Sequence, residues 1–247
     1  MSATSNLAAF SRAIKLSHTI FALPFALAAA WLVWQEQAVA WHQWLWIVVA
    51  MVGARSSAMG FNRLVDGRID AANPRTVDRE LPSGRLGSGW AWALTLGSAG
   101  LLVLSAAMLH PLALKLTPAV MVVLWGYSLT KRFTALCHVW LGAALGLAPI
   151  CVWVALTGTV TAAPLLMAGA ITTWVAGFDV LYSLQDLDYD RQVGLRSIPA
   201  ALGVRGALVV SALLHVGTVG LLAALPAAVS LGWPYWPGVV LIAGILS

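Results

Sequence analysis

Two short segments of this 247-residue chain hold the side chains whose types and spacing could do chemistry. The first reads Phe61-Asn62-Arg63-Leu64-Val65-Asp66-Gly67-Arg68-Ile69-Asp70 and continues through Asn73, Arg75 and Arg79. Asn62, Asp66 and Asp70 fall at i, i+4 and i+8, so on a helix they share one face within an arc of about 80°. Arg55 lies within about 20° of the same stripe, seven residues earlier. Two carboxylates one turn apart repel each other, and a helix end gains nothing from that. The arrangement makes sense when a divalent cation sits between them. Oxygen-only donors favour magnesium, which takes one or two carboxylates plus phosphate oxygens of a substrate. The competing reading is a solvated helix end in which Arg63 and Arg68 pair with Asp66 and Asp70.

The second segment reads Asp179-Val180-Leu181-Tyr182-Ser183-Leu184-Gln185-Asp186-Leu187-Asp188-Tyr189-Asp190. Asp186 and Asp190 are again one turn apart, and on a continuous α-helix Asp179 lies within about 60° of both. Asp188 points the other way, as a surface or salt-bridge residue would. Asp179 sits inside an otherwise apolar stretch, where an ionisable group is costly and marks function by default. Two stripes of this kind could form facing halves of one site, with two metal ions and a diphosphate between them.

The elements that must position these stripes follow from composition. The chain is 60% hydrophobic and 9% charged, against about 25% charged in soluble domains. Stretches free of Asp, Glu, Lys and Arg run over 16–35, 37–54, 86–114, 116–130, 133–178 and 206–247. A helix needs about 20 largely apolar residues to cross a bilayer. The run at 133–178 is long enough for two crossings, turned by Thr157–Pro164. The last run holds one crossing, a Pro/Trp-rich break at 225–237 and a stub. The expectation is all-α: a single polytopic membrane domain over 1–247, with seven full helices and a partial eighth. The first apolar run reads as a transmembrane helix rather than a signal peptide, since no small-residue cleavage site leads into a polar region. Cys137 and Cys151 lack metal-ligand spacing and read as buried, inert thiols.

Seventeen of the 23 charged residues fall in three segments, at 63–85, 131–132 and 179–196, following the second, fourth and sixth helices. Even-numbered helices return to the side where the chain begins, so all three share one face. Lys115 is the only Lys or Arg expected opposite, and the positive-inside rule makes the charged face cytoplasmic. The net charge of +5 follows from this bias and calls for no nucleic acid partner. Arg75, Arg79, Lys131, Arg132 and Arg196 are then cations beside the stripes, with Tyr127 one turn before Lys131. Fixed cations and magnesium would stabilise a departing pyrophosphate.

On these residues the sequence resembles the UbiA superfamily of intramembrane aromatic prenyltransferases, over nearly the whole chain. The first signature appears as Asn62, Asp66 and Asp70, with Arg63 where many members carry Asp. Its tail appears as Thr76, Arg79, Leu81, Pro82 and Gly84, with Glu80 in place of the usual Pro. The second signature appears as Asp179, Tyr182, Asp186, Asp190, Gly194, Arg196 and Ser197. Stretches beginning at His18, Gly126 and Ala176 look like the quinone-pathway branch. Its acceptors are 4-hydroxybenzoate or, in the futalosine route to menaquinone, 1,4-dihydroxy-6-naphthoate, and the second set is the closer match in local wording.

The resemblance implies a polytopic bundle, typically of nine helices, so the C-terminal end here is expected to be short. It implies Mg2+ held by Asn62, Asp66, Asp70, Asp186 and Asp190, with Asp66, Asp70, Asp179, Asp186 and Asp190 as the catalytic carboxylates. Asn73, Arg75, Arg79, Tyr127, Lys131, Arg132, Tyr182 and Arg196 would serve the polyprenyl diphosphate. Arg55 would hold the acceptor carboxylate, its alternative role being an ion pair with Asp66. Asp179 or Asp190 would take the ring proton. The setting would be the bacterial inner membrane with the site facing the cytoplasm; oligomeric state is not legible.

Two rivals are weaker. A CDP-alcohol phosphotransferase needs Asp-x-x-Asp-Gly-x-x-Ala-Arg, whereas Arg63-Leu64-Val65 precedes Asp66-Gly67 and Ile69-Asp70 replaces Ala-Arg. A transporter would spread polar residues through the bilayer depth, whereas here they crowd one face.

Overall fold

A computed structural model describes residues 3–15 and 19–246. His18, which opens one of the family-like stretches, lies outside the described residues. The elements in chain order are α1 (Ala3–Ala13), α2 (Thr19–Glu36), α3 (Trp41–Ala72), α4 (Ser88–Leu109), α5 (Pro111–Thr130), α6 (Cys137–Thr157), α7 (Ala162–Tyr182), α8 (Leu187–Val193), α9 (Ile198–Ala224) and α10 (Tyr235–Leu246). Among the described residues there is no strand. Among the described residues, six segments are long and apolar enough to cross a membrane: Trp41–Ala72, Ser88–Leu109, Pro111–Thr130, Cys137–Thr157, Ala162–Val193 and Ile198–Ala227. Helix α2, 18 residues long and largely apolar, is the seventh long element. Helix α10, with 12 residues, is the stub expected after the Pro/Trp-rich break.

The chain forms two compact units, Met1–Ser128 and Leu129–Ser247. In the first, α3 is the axis. Its 32 residues span roughly 48 Å at 1.5 Å per residue, well beyond the roughly 30 Å of a bilayer's hydrocarbon. The surplus carries Asn62, Asp66 and Asp70, so the first stripe rides on the same rigid rod as the transmembrane span. The helix stops where Pro74 removes an N–H and restricts the residue before it; Asn73 is extended there, at φ −95° and ψ 120°.

Helices α3 and α4 approach closely through small residues. A Cβ at Gly53 would lie 2.8 Å from the Ser98 carbonyl oxygen, and one at Gly60 would strike the Thr95 hydroxyl. Close approach of this kind substitutes for the hydrophobic effect, which lipid cannot supply between helices.

Helix α1 was not expected from the sequence. Ala9, Phe10, Ala13 and Ile14 are buried with Leu86 and Ala91, and Met59, Leu64, Leu81 and Leu94 pack against them. Asn6, Ala9, Phe10, Ala13 and Ile14 recur at three- and four-residue spacing, the pattern of a helix with one buried face. The run was too short and too polar overall to stand out beside the transmembrane segments.

In the second unit, α6 and α7 pack through Gly142 and Gly146, where added Cβ atoms would overlap Thr172 and Ala168. Helix α9 is tied to α7 by Ser211 Oγ donating to the Gly177 carbonyl at 2.9 Å and by the Thr173–Thr218 hydroxyl pair at 2.8 Å. Tyr235 of α10 donates to the Leu222 carbonyl at 2.8 Å. Both cysteines are free thiols, Cys137 buried and Cys151 half-buried.

Candidate active site

In the first unit, Asn62 and Asp66 meet directly, one helical turn apart: Asn62 Nδ2 donates to Asp66 Oδ2 at 2.8 Å. The expected i, i+4 stripe is therefore present. Its third member turns elsewhere. Arg79 Nη1 donates to both oxygens of Asp70 at 2.7 Å, and Arg63 Nη1 lies 3.5 Å from Asp70 Oδ2. The pairing that the sequence allowed between Arg63 and this stripe is thus real, and it falls on Asp70. Arg63 itself is buried and also donates from Nε to the Ala13 carbonyl at 3.1 Å. The second bond caps an open carbonyl at the end of α1.

The loop after α3 is built rather than loose. Thr76 Oγ1 donates to the Asp70 carbonyl at 2.9 Å, and the Arg75 N–H donates to Asn73 Oδ1 at 2.9 Å. The Leu86 N–H closes back on the Glu80 carbonyl at 2.9 Å, and Gly84 takes the left-handed turn at φ +73°, where a side chain would be strained. Arg12 of α1 reaches Glu80 at 3.6 Å. Glu80, the residue that departs from the family tail, thus fastens the loop to α1.

Deeper in α3, the Arg55 Nε is buried with no hydrogen-bond partner, which is unusual for a guanidinium in an apolar span. Asp66, the alternative partner considered from the sequence, accepts from Asn62 with one carboxylate oxygen. On the neighbouring surface, Trp125 donates to Ser57 Oγ at 3.0 Å and stacks on Phe61 with centroids 4.8 Å apart. Tyr127 OH lies 3.7 Å from Met59 Sδ.

In the second unit the stripe does not follow one α-helical wheel. A 3-10 turn, Ser183–Asp186, separates α7 from α8. At three residues per turn it advances each residue by about 120° rather than about 100°, so phases computed from Asp179 do not carry through to Asp190. The three carboxylates meet three different surroundings. Asp179 is 27% exposed and its Oδ2 lies 2.6 Å from His138 Nδ1. Asp186 is half-buried at the end of the 3-10 turn. Asp190 is 0% exposed, with Lys131 Nζ at 2.8 Å from Oδ1 and Ser197 Oγ donating to Oδ2 at 3.1 Å. The Lys131 contact is an ion pair by distance, although Asp190 Oδ1 receives no hydrogen bond of good angle. Asp188 is exposed, as its wheel position implied.

Around Asp190 the chain folds back on itself. Gly194 caps α8 at φ +73°. The Arg196 N–H donates to the Lys131 carbonyl at 2.8 Å, and its guanidinium donates to the Phe133 carbonyl at 2.8 Å. Ser197 caps α9, accepting from the Ala200 N–H at 3.3 Å. Arg196, expected to face a diphosphate, here braces the loop after α5. Tyr182 is exposed and stacks on Phe178, with centroids 6.2 Å apart. Arg132, also expected beside the diphosphate, is exposed.

Sequence reasoning gave His138 no role, and Thr76 and Ser197 entered only as positions of the family signatures. His138 carried a readable signal: an ionisable side chain at the start of a long apolar run.

The donor chemistry fits a hard divalent cation in kind. Asn62, Asp66 and Asp186 offer oxygens only, at the end of a helix or turn, as magnesium prefers. Among the described residues no three His, Cys, Asp or Glu side chains form a ready cage. Asp70 and Asp190 already neutralise protein cations.

Comparison with known proteins places this architecture. The model of the UbiA prenyltransferase family matches residues 22–247. The 4-hydroxybenzoate octaprenyltransferases of Salmonella paratyphi B and Salmonella newport are each 30% identical over 246 residues, covering 98% of this chain and 83% of theirs. The apo structure of a UbiA homolog from Aeropyrum pernix K1 superposes with a TM-score of 0.86 at 36% identity, over 94% of this chain and 86% of that one. The fold also matches a UbiA homolog from Archaeoglobus fulgidus bound to GPP and Mg2+, at a TM-score of 0.75 and 17% identity, over 96% and 84% of the two chains. The chain belongs to the UbiA prenyltransferase family and is a prenyltransferase of the membrane.

Proposed function

We propose that this enzyme transfers a polyprenyl group from a polyprenyl diphosphate to a phenol that bears a carboxylate, in quinone biosynthesis, with Mg2+ as cofactor. The setting is the bacterial inner membrane, with the polar loops on the cytoplasmic side. The observation that carries the acceptor class is the Arg55 Nε, buried without a hydrogen-bond partner within an apolar helix and seven residues below Asn62. A guanidinium left in that condition gains a charge-assisted, bidentate pair when an aromatic acid enters. Support for the donor comes from family membership and from the oxygen donors of the two acid stripes.

In this reading Asn62, Asp66 and Asp186 would be among the oxygen donors that hold magnesium, which would supply charge neutralisation to the diphosphate when bound. Arg75, Arg79, Lys131, Arg132 and Arg196 are the loop cations of this reading, of which Arg79, Lys131 and Arg196 are engaged within the protein without substrate. The allylic carbon–oxygen bond breaks and its electron pair leaves with the diphosphate. The acceptor carbon ortho to the hydroxyl then forms the new carbon–carbon bond, and the ring proton passes to a carboxylate. Asp179 suits that last role better than Asp190: it is partly exposed, whereas Asp190 is sealed between Lys131 and Ser197. Tyr127 and Tyr182 would steady the allylic cation with their ring faces.

Two acceptors meet this description, 4-hydroxybenzoate and 1,4-dihydroxy-6-naphthoate. The named activity of the Salmonella relatives puts the first ahead. Purified protein given one radiolabelled polyprenyl diphosphate, magnesium and each acid separately tests the proposal. Labelled product with an aromatic acid, and none with its decarboxylated analogue, is the expected result. Equal transfer to phenols lacking the carboxylate would refute the acceptor class.

A further inference from the structure

We propose that His138 is a positioning residue for the transfer reaction, locked by the backbone into the neutral form that carries its proton on Nδ1 and so aims Asp179. This rests on the reading above that Asp179 takes the acceptor's ring proton.

The geometry comes from three elements of the second unit. His138 is the second residue of α6, is 2% exposed, and lies between α7 and the start of α9. On one side its Nδ1 is 2.6 Å from Asp179 Oδ2. On the other side the Ile198 N–H points at its Nε2, at 3.3 Å. Ile198 is the first residue of α9, so its N–H is one of the four that a helix cannot satisfy internally. A backbone N–H can only donate. Nε2 must therefore present its lone pair, which leaves the single imidazole proton on Nδ1, facing the carboxylate.

The backbone at 195–198 is itself held, so the lock is not a chance contact. Ser197 binds Asp190 and caps α9, Cys137 Sγ donates to the Arg196 carbonyl at 3.5 Å, and Ile198 packs with Val180 and Ala207. The frame that fixes the tautomer is the same frame that seals Asp190.

Two consequences follow for Asp179. Its Oδ2 is committed to His138, and Oδ1 hydrogen-bonds to no described residue. The carboxylate is thus oriented with one oxygen available for a ring proton. A proton arriving at Oδ1 has no relay through the imidazole, because Nε2 is occupied by a fixed amide. His138 orients the base and does not carry its proton onward. Gln can replace such a residue, since its amide has a donor for Asp179 and an acceptor for Ile198; Leu can serve neither.

The test combines a spectroscopic and a kinetic arm on the full-length protein in lipid nanodiscs. Isotope-labelled imidazole nitrogens of His138 should report the neutral, Nδ1-protonated form. A neutral Nε2-protonated ring, or an imidazolium, would overturn the lock. In steady-state assays H138L should lose kcat by roughly 10- to 100-fold, the usual scale for residues that orient a reactive ligand. KM for both substrates should stay within about twofold, and H138Q should recover most of the rate. Unchanged kcat in H138L, or H138Q no better than H138L, would overturn the positioning role. D179N separates the two layers of inference. An inactive D179N beside a fully active H138L would refute only the role of His138. A fully active D179N would refute the base assignment and the proposal with it.

Discussion

Arg79 closes on Asp70 with one terminal nitrogen at 2.7 Å from each carboxylate oxygen, tying the end of α3 to the loop that follows it. Arg63 adds a second cation at 3.5 Å. Asp70 is therefore the hinge pin of the loop as well as a member of the acid stripe. Removing its carboxylate leaves buried Arg63 and partly buried Arg79 without their counter-ion. D70A should cost about 2–3 kcal/mol, below the full value for a buried pair because Arg79 retains some solvent. Thermal unfolding in detergent checks this. Limited proteolysis should show new cleavage between residues 73 and 87, and R79A should give the milder form of both effects.

Arg55 gives the cleanest separation of the two substrates. If it holds the acceptor carboxylate, R55A should raise the acceptor KM by roughly 30-fold, about 2 kcal/mol for a charge-assisted bond. The KM for the prenyl diphosphate should not move. Initial-rate kinetics with each substrate varied in turn make the comparison.

Close helix packing predicts opposite signs at two glycines. At Gly142 an added Cβ meets the Thr172 backbone, which cannot yield as a side-chain tip can; G142A should destabilise by about 1–3 kcal/mol. At Gly100, in mid-helix on α4, an added Cβ meets nothing within 4 Å. G100A should raise stability by about 0.5–1 kcal/mol. Thermal midpoints of the two variants in the same detergent decide the matter.

Much of this architecture was legible in the sequence because a bilayer imposes so few solutions. Uncharged runs of about 20 residues located the long helices. The stripe Asn62–Asp66 was readable because α3 is a regular helix through that point. Asp190 was not, because the wheel assumes a constant turn angle and the 3-10 turn at Ser183–Asp186 breaks it. The pairs Lys131–Asp190 and His138–Asp179 join residues 59 and 41 positions apart, which no local periodicity encodes. Helix α1 had its signal in Ala9, Phe10, Ala13 and Ile14, a stripe overshadowed by far stronger hydrophobic runs.

Metal removal should act on the reaction and spare the fold. Chelation by EDTA should abolish transfer, and magnesium should restore it. Asp70 and Asp190 already balance protein cations, so the bundle does not depend on the ion for their neutralisation. Circular dichroism and the thermal midpoint without substrate should therefore be nearly unchanged by the chelator.

The proposed function requires both acid stripes for transfer of the polyprenyl group. The most direct measurement is magnesium-dependent transfer by purified D66A and D186A, each shown by its thermal midpoint to be folded. Either substitution alone should abolish transfer, and magnesium should no longer promote binding of the polyprenyl diphosphate. Near-normal turnover in either folded variant would contradict that requirement.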